Sequence, residues 1–291
     1  MLQCENEWEG MLPTDLMGIR MIATITDAQW QQFNEQGYLN LGRLLDDVEL
    51  AGLQQRIDDI MLGKIKIDYD RMLMQLDAGG DDYSKIGPQT RGFKKSTLNY
   101  RKIQDLEFDP HFLAYMQRPI FRDACARIYG AQTTIMCCRA MFMNKPAGKG
   151  TYLPWHQDRW TLFDRDPQLT VWTALDDATI ANGCVQIIAG SHKRGVINPS
   201  ANSGFLTKEQ TMQHCPPEKV VHLELEAGEV ALLHNYLLHS SDVNRSEVPR
   251  RAFSVCYMDA NTQCNDEENN LTNYSIMFGE NAMQVEELQL P

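Results

Sequence analysis

Trp155-His156-Gln157-Asp158 is the stretch around which the chain is organised, because it places an imidazole and a carboxylate two residues apart. On a β-strand, residues i and i+2 point to the same face of the sheet. We therefore expect His156 and Asp158 to bind one ion together while Gln157 points away. One nitrogen ligand and one oxygen ligand are two members of the three-residue facial triad that non-heme iron sites use. The stretch predicts a metal site built on β-strands.

A third ligand is predicted at His239, which follows a turn and a strand over 228–234. At the start of the next strand, His239 would lie beside the His-x-Asp strand in a closed β-roll. His234 is the rival candidate, because two histidines separated by four residues suit a metal pair on a helix. Residues 229–233 alternate poorly for a helix, and this favours His239.

Arg250 follows His239 by eleven residues and shares one strand face with Ala252 and Ser254. An arginine that points into a barrel is costly unless it meets an anion. A dicarboxylate would satisfy its guanidinium with two parallel hydrogen bonds. A one-residue slip of the strand would turn the neighbouring Arg251 inward instead, and this alternative stays open.

Composition narrows the class of protein. The 291 residues are 43% hydrophobic and 23% charged, which is ordinary globular composition. The net charge is −12 and no block of Lys and Arg occurs, so we expect no nucleic-acid partner. No apolar run approaches the roughly 18 residues that span a bilayer, and the acidic N-terminus lacks a signal-peptide pattern. The eight cysteines form no Cys-x-x-Cys pair, which favours reduced thiols in a cytoplasmic protein. For the oligomeric state, a monomer or a homodimer is the default expectation.

The pattern of apolar and turn residues changes along the chain, and we expect one domain over residues 1–291. Its predicted parts are a lead-in over 1–23, a mostly helical part over 24–130, a jelly-roll core over 131–260 and an acidic tail over 261–291. Residues 64–97 are irregular and polar, which predicts a long loop. Such a loop is either a lid over a site or a flexible insertion.

A series of short motifs runs in order through residues 138–257. They are Met143-Asn144-Lys145-Pro146, Trp155-His156-Gln157-Asp158, Trp172-Thr173-Ala174-Leu175-Asp176-Asp177-Ala178, Asn182-Gly183-Cys184, Gly190-Ser191-His192, His239-Ser240-Ser241-Asp242-Val243-Asn244-Arg245-Ser246 and Arg250-Arg251-Ala252-Phe253-Ser254. Together they resemble the phytanoyl-CoA dioxygenase family of Fe(II)/2-oxoglutarate oxygenases. Each motif is weak alone, but the ordered combination is specific.

The resemblance implies a mainly β protein with flanking α-helices, built on a double-stranded β-helix, the cupin-like jelly roll. The resemblance implies that the iron ligands are His156, Asp158 and His239. It also implies that the residues in contact with the cosubstrate 2-oxoglutarate are Arg250, Ser241, Trp172, Lys102 and Met141. The implied cofactors are Fe(II), 2-oxoglutarate and O₂.

The implied reaction hydroxylates an unactivated C–H bond of a small organic molecule and converts 2-oxoglutarate to succinate and CO₂. Halogenases of the family replace the carboxylate ligand by a small residue, so Asp158 favours hydroxylation. Near the ligands, Trp155, Arg159 and Trp160 are predicted to line the substrate pocket. Arg139, like Arg159, either faces an anionic substrate or forms an ordinary salt bridge.

The pattern does not name the substrate. The negative net charge disfavours highly anionic substrates such as CoA esters, whereas a basic patch of Lys145, Lys149 and Arg159 would favour them. Two other functions stay open. One is a sensor on the same fold that binds a metal or a dicarboxylate and reports it through residues 64–97. The other is a metal-dependent hydrolase or isomerase, which would act without O₂.

Overall fold

Strands form most of the regular structure in the residues that the computed structural model describes, which are 24–199, 201, 203–264 and 274–288. The predicted lead-in over 1–23 and parts of the tail lie outside these residues. In chain order the strands are β1 (Tyr38–Arg43), β2 (Leu73–Leu76), β3 (Thr90–Arg91), β4 (Tyr100–Gln104), β5 (Ile135–Lys145), β6 (Leu153–His156), β7 (Leu169–Ala174), β8 (Val185–Ile188), β9 (Val220–Leu223), β10 (Glu229–His234), β11 (His239–Ser241), β12 (Arg250–Asp259) and β13 (Ile276–Phe278).

The α-helices of the described residues begin and end at clear sequence signals. They are α1 (Asp27–Gln36), α2 (Asp47–Leu62), α3 (Pro110–Met116), α4 (Pro119–Tyr129) and α5 (Lys208–His214). Thr26 caps α1 and Gly37 ends it in the left-handed conformation, with φ of 77°. Pro110 and Pro119 each begin a helix, where the N–H that proline lacks would have no helical partner. No described helix combines the length and the apolar character that crossing a membrane requires.

Two antiparallel sheets face each other. The larger has the order β1-β10-β7-β12-β5-β4-β2-β3, with β13 also paired to β5, and the smaller has the order β6-β11-β8-β9. From β5 to β8, and again from β10 to β12, successive strands alternate between the two sheets. This arrangement is the double-stranded β-helix, and the predicted fold class is confirmed.

The two faces of β12 show where the core and the cavity lie. Phe253, Val255 and Tyr257 are fully buried in the larger apolar core, and the ring of Phe253 lies 4.7 Å from that of Phe112 on α3. Ser254, on the opposite face, lines a cavity between the sheets. The helices therefore cover the outer face of the large sheet and leave its inner face for a site.

Two local predictions are wrong. The predicted mostly helical part over 24–130 holds α1 to α4, and it also contributes β1 to β4 to the large sheet. Two of these strands, β2 and β3, lie in the predicted 64–97 loop; they have only four and two residues, too few for an alternating pattern. The strand predicted to reach Asp158 ends at His156.

Candidate active site

The three predicted metal ligands meet where β6 pairs with β11. His156 lies opposite His239 in that pairing, and one ligand atom from each of His156, Asp158 and His239 lies within 4.8 Å of the others. The two imidazole centroids are 4.0 Å apart, and His156 Nε2 lies 3.9 Å from Asp158 Oδ1. Within the described residues, no other cluster of His, Cys, Asp or Glu side chains offers three ligands in this way.

Backbone carbonyls fix both imidazole rings. Nδ1 of His156 lies 2.8 Å from the carbonyl oxygen of Pro154, and Nδ1 of His239 lies 2.9 Å from that of Leu237. An Nδ1–H that donates to a carbonyl leaves Nε2 as the unprotonated nitrogen that binds metals. Burial, reinforced by the neighbouring His239, lowers the pKa of His156 to about 3. The His156 ring is therefore neutral, as a metal ligand must be.

Arg139 on β5 holds the carboxylate ligand in place. Its Nη2 donates to Asp158 Oδ2 at 2.8 Å, which leaves Oδ1 to face the histidines. Burial acts to raise the pKa of Asp158, but the positive charge of Arg139 and the nearby His239 outweigh burial and lower it. Asp158 is therefore ionised and oriented, and Arg139 forms a salt bridge, one of the two roles that the sequence left open.

The residue between the two ligands turns away from the cavity, as predicted. Gln157 donates from Nε2 to the carbonyl oxygens of Gly195, at 2.9 Å, and Tyr236, at 2.7 Å. Its Oε1 accepts from the backbone N–H of Ile197 at 2.8 Å. Because these three bonds anchor the loop behind the strand, the backbone that carries the metal ligands is held on both sides.

A cavity lies between the sheets beside the predicted metal ligands. Strand β5 follows its length, from Arg139 beside Asp158 to Lys145, which lies opposite Arg250 on β12. The cavity thus has a metal end and an arginine end, and all eight residues predicted as iron or 2-oxoglutarate contacts line it.

The arginine end presents donors that have no acceptor. Arg250 is 4% exposed, and burial lowers the pKa of its guanidinium to about 10. Its Nε is buried without a hydrogen-bond partner, as is Nε1 of Trp172, whose ring lies 5.7 Å from the guanidinium carbon. Unpaired buried donors are costly unless a ligand accepts from them. A carboxylate fits this pair of donors.

Both alternatives left open by the sequence are decided by geometry. Arg251 points to the other face of β12, where it bonds to Asp176 at 2.7 Å and to Asp58 at 2.7 Å. Arg250 therefore is the inward arginine. His234 also lines the cavity, but its Nδ1 accepts from the backbone N–H of Tyr236 at 3.1 Å, and its side chain is not part of the three-ligand cluster.

The predicted substrate-pocket residues, by contrast, do not line this cavity. Trp155 alternates with His156 on β6, so its ring packs into a separate apolar cluster with Ile188 and Leu238. Arg159 donates to the carbonyl oxygen of Asn198 at 3.3 Å. The ring of Trp160 lies 5.2 Å from the guanidinium carbon of Arg139 and so supports the residue that holds Asp158.

Sequence reasoning missed Arg101, which lines the cavity together with the predicted Lys102. Burial, and then the charges of Arg101 and Arg139, lower the pKa of Lys102 to about 7. No motif marks Arg101, and two adjacent strand residues are not expected to face the same side. Arg101 faces the cavity because its strand is irregular at this point, and the sequence gives no sign of that irregularity.

The family model for phytanoyl-CoA dioxygenase matches residues 33–252 of this chain. The chain belongs to the phytanoyl-CoA dioxygenase family. Within that family, a probable phytanoyl-CoA dioxygenase of Caenorhabditis elegans is 29% identical over 248 residues, covering 80% of this chain and 76% of that protein. Membership confirms the predicted family, and with it an enzyme of the Fe(II)- and 2-oxoglutarate-dependent dioxygenase class.

Solved structures share the fold at low identity. EctD from S. alaskensis, crystallised with 2-oxoglutarate and 5-hydroxyectoine, superposes with a TM-score of 0.63 at 18% identity, covering 84% of this chain and 81% of its own. The α-ketoglutarate-dependent carbocyclase SnoK from nogalamycin biosynthesis superposes with a TM-score of 0.62 at 17% identity, covering 87% and 92%. SnoK is named a carbocyclase, whereas SnoN from the same biosynthesis, which superposes with a TM-score of 0.57 at 18% identity and covers 82% of each chain, is named an epimerase. The fold therefore leaves the outcome of the reaction open.

Proposed function

We propose that this member of the phytanoyl-CoA dioxygenase family hydroxylates an unactivated C–H bond of a small organic molecule. The observation that carries the proposal is the pairing, in one cavity, of a His-Asp-His cluster with an arginine whose buried Nε has no partner. Two imidazole nitrogens and one carboxylate oxygen are the donor set that suits non-heme Fe(II). Bound there, iron would supply O₂ activation, with 2-oxoglutarate oxidised to succinate and CO₂ as the substrate gains a hydroxyl.

The chain's own residues would bind and orient. His156, Asp158 and His239 would hold the metal through Nε2, Oδ1 and Nε2, and Arg139 would keep the carboxylate directed at it. Arg250 would bind the far carboxylate of 2-oxoglutarate. Four further residues that line the cavity would contact the same cosubstrate, and they are Ser241, Trp172, Lys102 and Met141.

The first test is the visible spectrum of the protein loaded with Fe(II) and 2-oxoglutarate without oxygen. Chelation of iron by a 2-keto acid gives a weak charge-transfer band. We expect the band in the wild type and in His234→Ala, and its loss in His239→Ala. A band that survives in His239→Ala, or a wild type that binds metal without the band, would contradict the proposal.

The sensor alternative keeps one supporting observation. The 64–97 segment reaches the cavity, since the Asp77 carboxylate accepts from the backbone N–H of Thr151, a cavity-lining residue, at 3.2 Å. Succinate release under air separates the two functions, because only the enzyme produces it. We also propose a cytoplasmic location, which is supported by the free thiols of all described cysteines. The proposed oligomeric state is a monomer or a homodimer.

A further inference from the structure

A β-bulge aims two neighbouring cations into the cavity. In the pairing of β4 with β2, Lys102 lies opposite Gln75 and Tyr100 lies opposite Leu76, so Arg101 is the extra residue. A bulge re-aims the side chains beside it. As a result both Arg101 and Lys102 line the cavity, although they are consecutive in a strand.

Arg101 is buried without a carboxylate. It is 6% exposed, and its Nη1 donates to Gln75 Oε1 at 3.0 Å. The ring of Tyr83 lies 5.2 Å from its guanidinium carbon. Within the described residues, no Asp or Glu forms an ion pair with Arg101, whereas Arg139 pairs with one carboxylate and Arg251 with two. A buried charge that meets only neutral groups is costly, and a bound anion would offset that cost.

The cavity is cationic beyond what the cosubstrate can neutralise. Among the described residues that line it, Arg101, Arg139 and Arg250 are accompanied by two lysines, and Asp158 is the only acidic side chain. Fe(II), Asp158 and a 2-oxoglutarate dianion together carry one net negative charge. Three arginines carry three positive charges, so a positive excess remains before either lysine is counted.

The excess positive charge of the cavity lies near the arginine end. Burial first, then the charges of Arg250 and Arg101, lower the pKa of Lys145 well below its usual range. Lys145 also lies opposite Arg250 in the strand pairing, and like charges directly opposite repel. Lys145 Nζ donates to the carbonyl oxygen of Thr151 at 2.6 Å, so it already has an acceptor. Arg101 has no charged acceptor.

We infer that Arg101 is the receptor for an anionic group of the substrate, a carboxylate or a phosphoryl group. The inference rests on the proposed function and deepens it, because it names the chemical class of the molecule that is hydroxylated. Arg250 binds the cosubstrate, and Arg101 binds the substrate through its planar fork of donors. The negative net charge of the whole chain does not oppose this, because the cavity itself has the opposite sign.

The test uses three probes with one butyl tail: pentanoate, butyl phosphate and neutral 1-butanol. Each is titrated by calorimetry into anaerobic protein saturated with Fe(II) and 2-oxoglutarate. We expect at least one anion to bind the wild type without displacing 2-oxoglutarate, and 1-butanol not to bind measurably. The anion that binds identifies the group. Arg101→Gln should weaken that binding by roughly tenfold or more, as loss of a charged hydrogen-bond partner does.

Matched variants separate the outcomes. Arg101→Gln should leave the affinity for 2-oxoglutarate within about twofold, and Arg101→Lys, which keeps the charge but not the fork, should weaken the anion less. Arg122→Gln makes the same substitution at an exposed side chain of α4 and should change neither affinity. If Arg101→Gln weakens 2-oxoglutarate, if the anion competes with 2-oxoglutarate, or if neither anion binds, this inference is overturned while the proposed function stands. Failure of 2-oxoglutarate to bind the wild type overturns both.

Discussion

The two ends of the cavity are built on different principles. At the metal end, protein partners orient the ligands: Nδ1 of His156 and His239 faces backbone carbonyls, and Asp158 is paired with Arg139. At the arginine end, no described residue accepts from the Nε of Arg250 or the Nε1 of Trp172, whereas at the metal end the unpaired Nε of Arg139 belongs to a guanidinium that already bonds to Asp158. The first end is preorganised for an ion, whereas the second is left incomplete for a carboxylate to complete.

Asp158→Ala should have the largest effect, because it attacks the preorganised end directly. It removes one of three metal ligands and leaves Arg139 buried without its partner. We expect Fe(II) affinity to fall by more than the roughly 10–100-fold that loss of an outer partner costs, and iron-dependent turnover of 2-oxoglutarate to vanish. Metal titration measures the Fe(II) affinity, and succinate release measures the turnover of 2-oxoglutarate. Asp81→Ala, at an exposed carboxylate, is the control, and undiminished turnover in Asp158→Ala would refute the ligand assignment.

Arg250→Ala and Arg251→Ala should separate ligand binding from folding. Arg250 forms no ion pair with an acidic side chain among the described residues, so its loss should weaken the binding of 2-oxoglutarate by roughly 10–100-fold with little loss of stability. Arg251 bonds to Asp176 and Asp58, so its loss should lower the free energy of unfolding by roughly 1–3 kcal/mol and leave 2-oxoglutarate affinity unchanged. Calorimetry measures the affinity for 2-oxoglutarate, and denaturant unfolding measures the free energy of unfolding.

Equal losses of 2-oxoglutarate affinity in the two variants would mean that the assigned strand register does not describe the functional site. Equal losses of stability, with affinity lowered only in Arg250→Ala, would keep the register but show that the arginine end is stabilised by groups other than the cosubstrate. The contrast between two consecutive arginines therefore tests whether the arginine end is built for a ligand.

The metal end was predictable from sequence because its pattern is local. Two ligands are two residues apart, and His239 opens the strand after a recognisable turn and strand. The arginine end was predictable only in part. The period of β12 allows either Arg250 or Arg251 to point inward, and the resemblance to the family favoured Arg250. Arg101 depends on a bulge, and a bulge is set by the pairing of two strands rather than by the residues of one.

The wall of the cavity was predicted least well, for a related reason. Trp155 and Trp160 were placed in the substrate pocket because they are near the ligands in sequence. Strand alternation turns Trp155 to the opposite face, and the chain leaves the strand before Trp160. Sequence proximity to a ligand predicts the backbone position of a residue but not the direction of its side chain.

Trp160→Leu should have the smallest effect and sharpens the same comparison, because it acts on the metal end through Arg139 alone. A cation–π contact of this kind contributes about 0.5–1 kcal/mol, so Fe(II) affinity should fall about two- to fivefold. Trp155→Leu is the matched control: its ring packs with Ile188 and Leu238, so unfolding should become easier while Fe(II) affinity of the folded protein is unchanged. If Trp160→Leu leaves Fe(II) affinity unchanged and instead alters the binding of pentanoate or butyl phosphate, Trp160 belongs to the substrate site and the preorganisation of Asp158 rests on Arg139 without it.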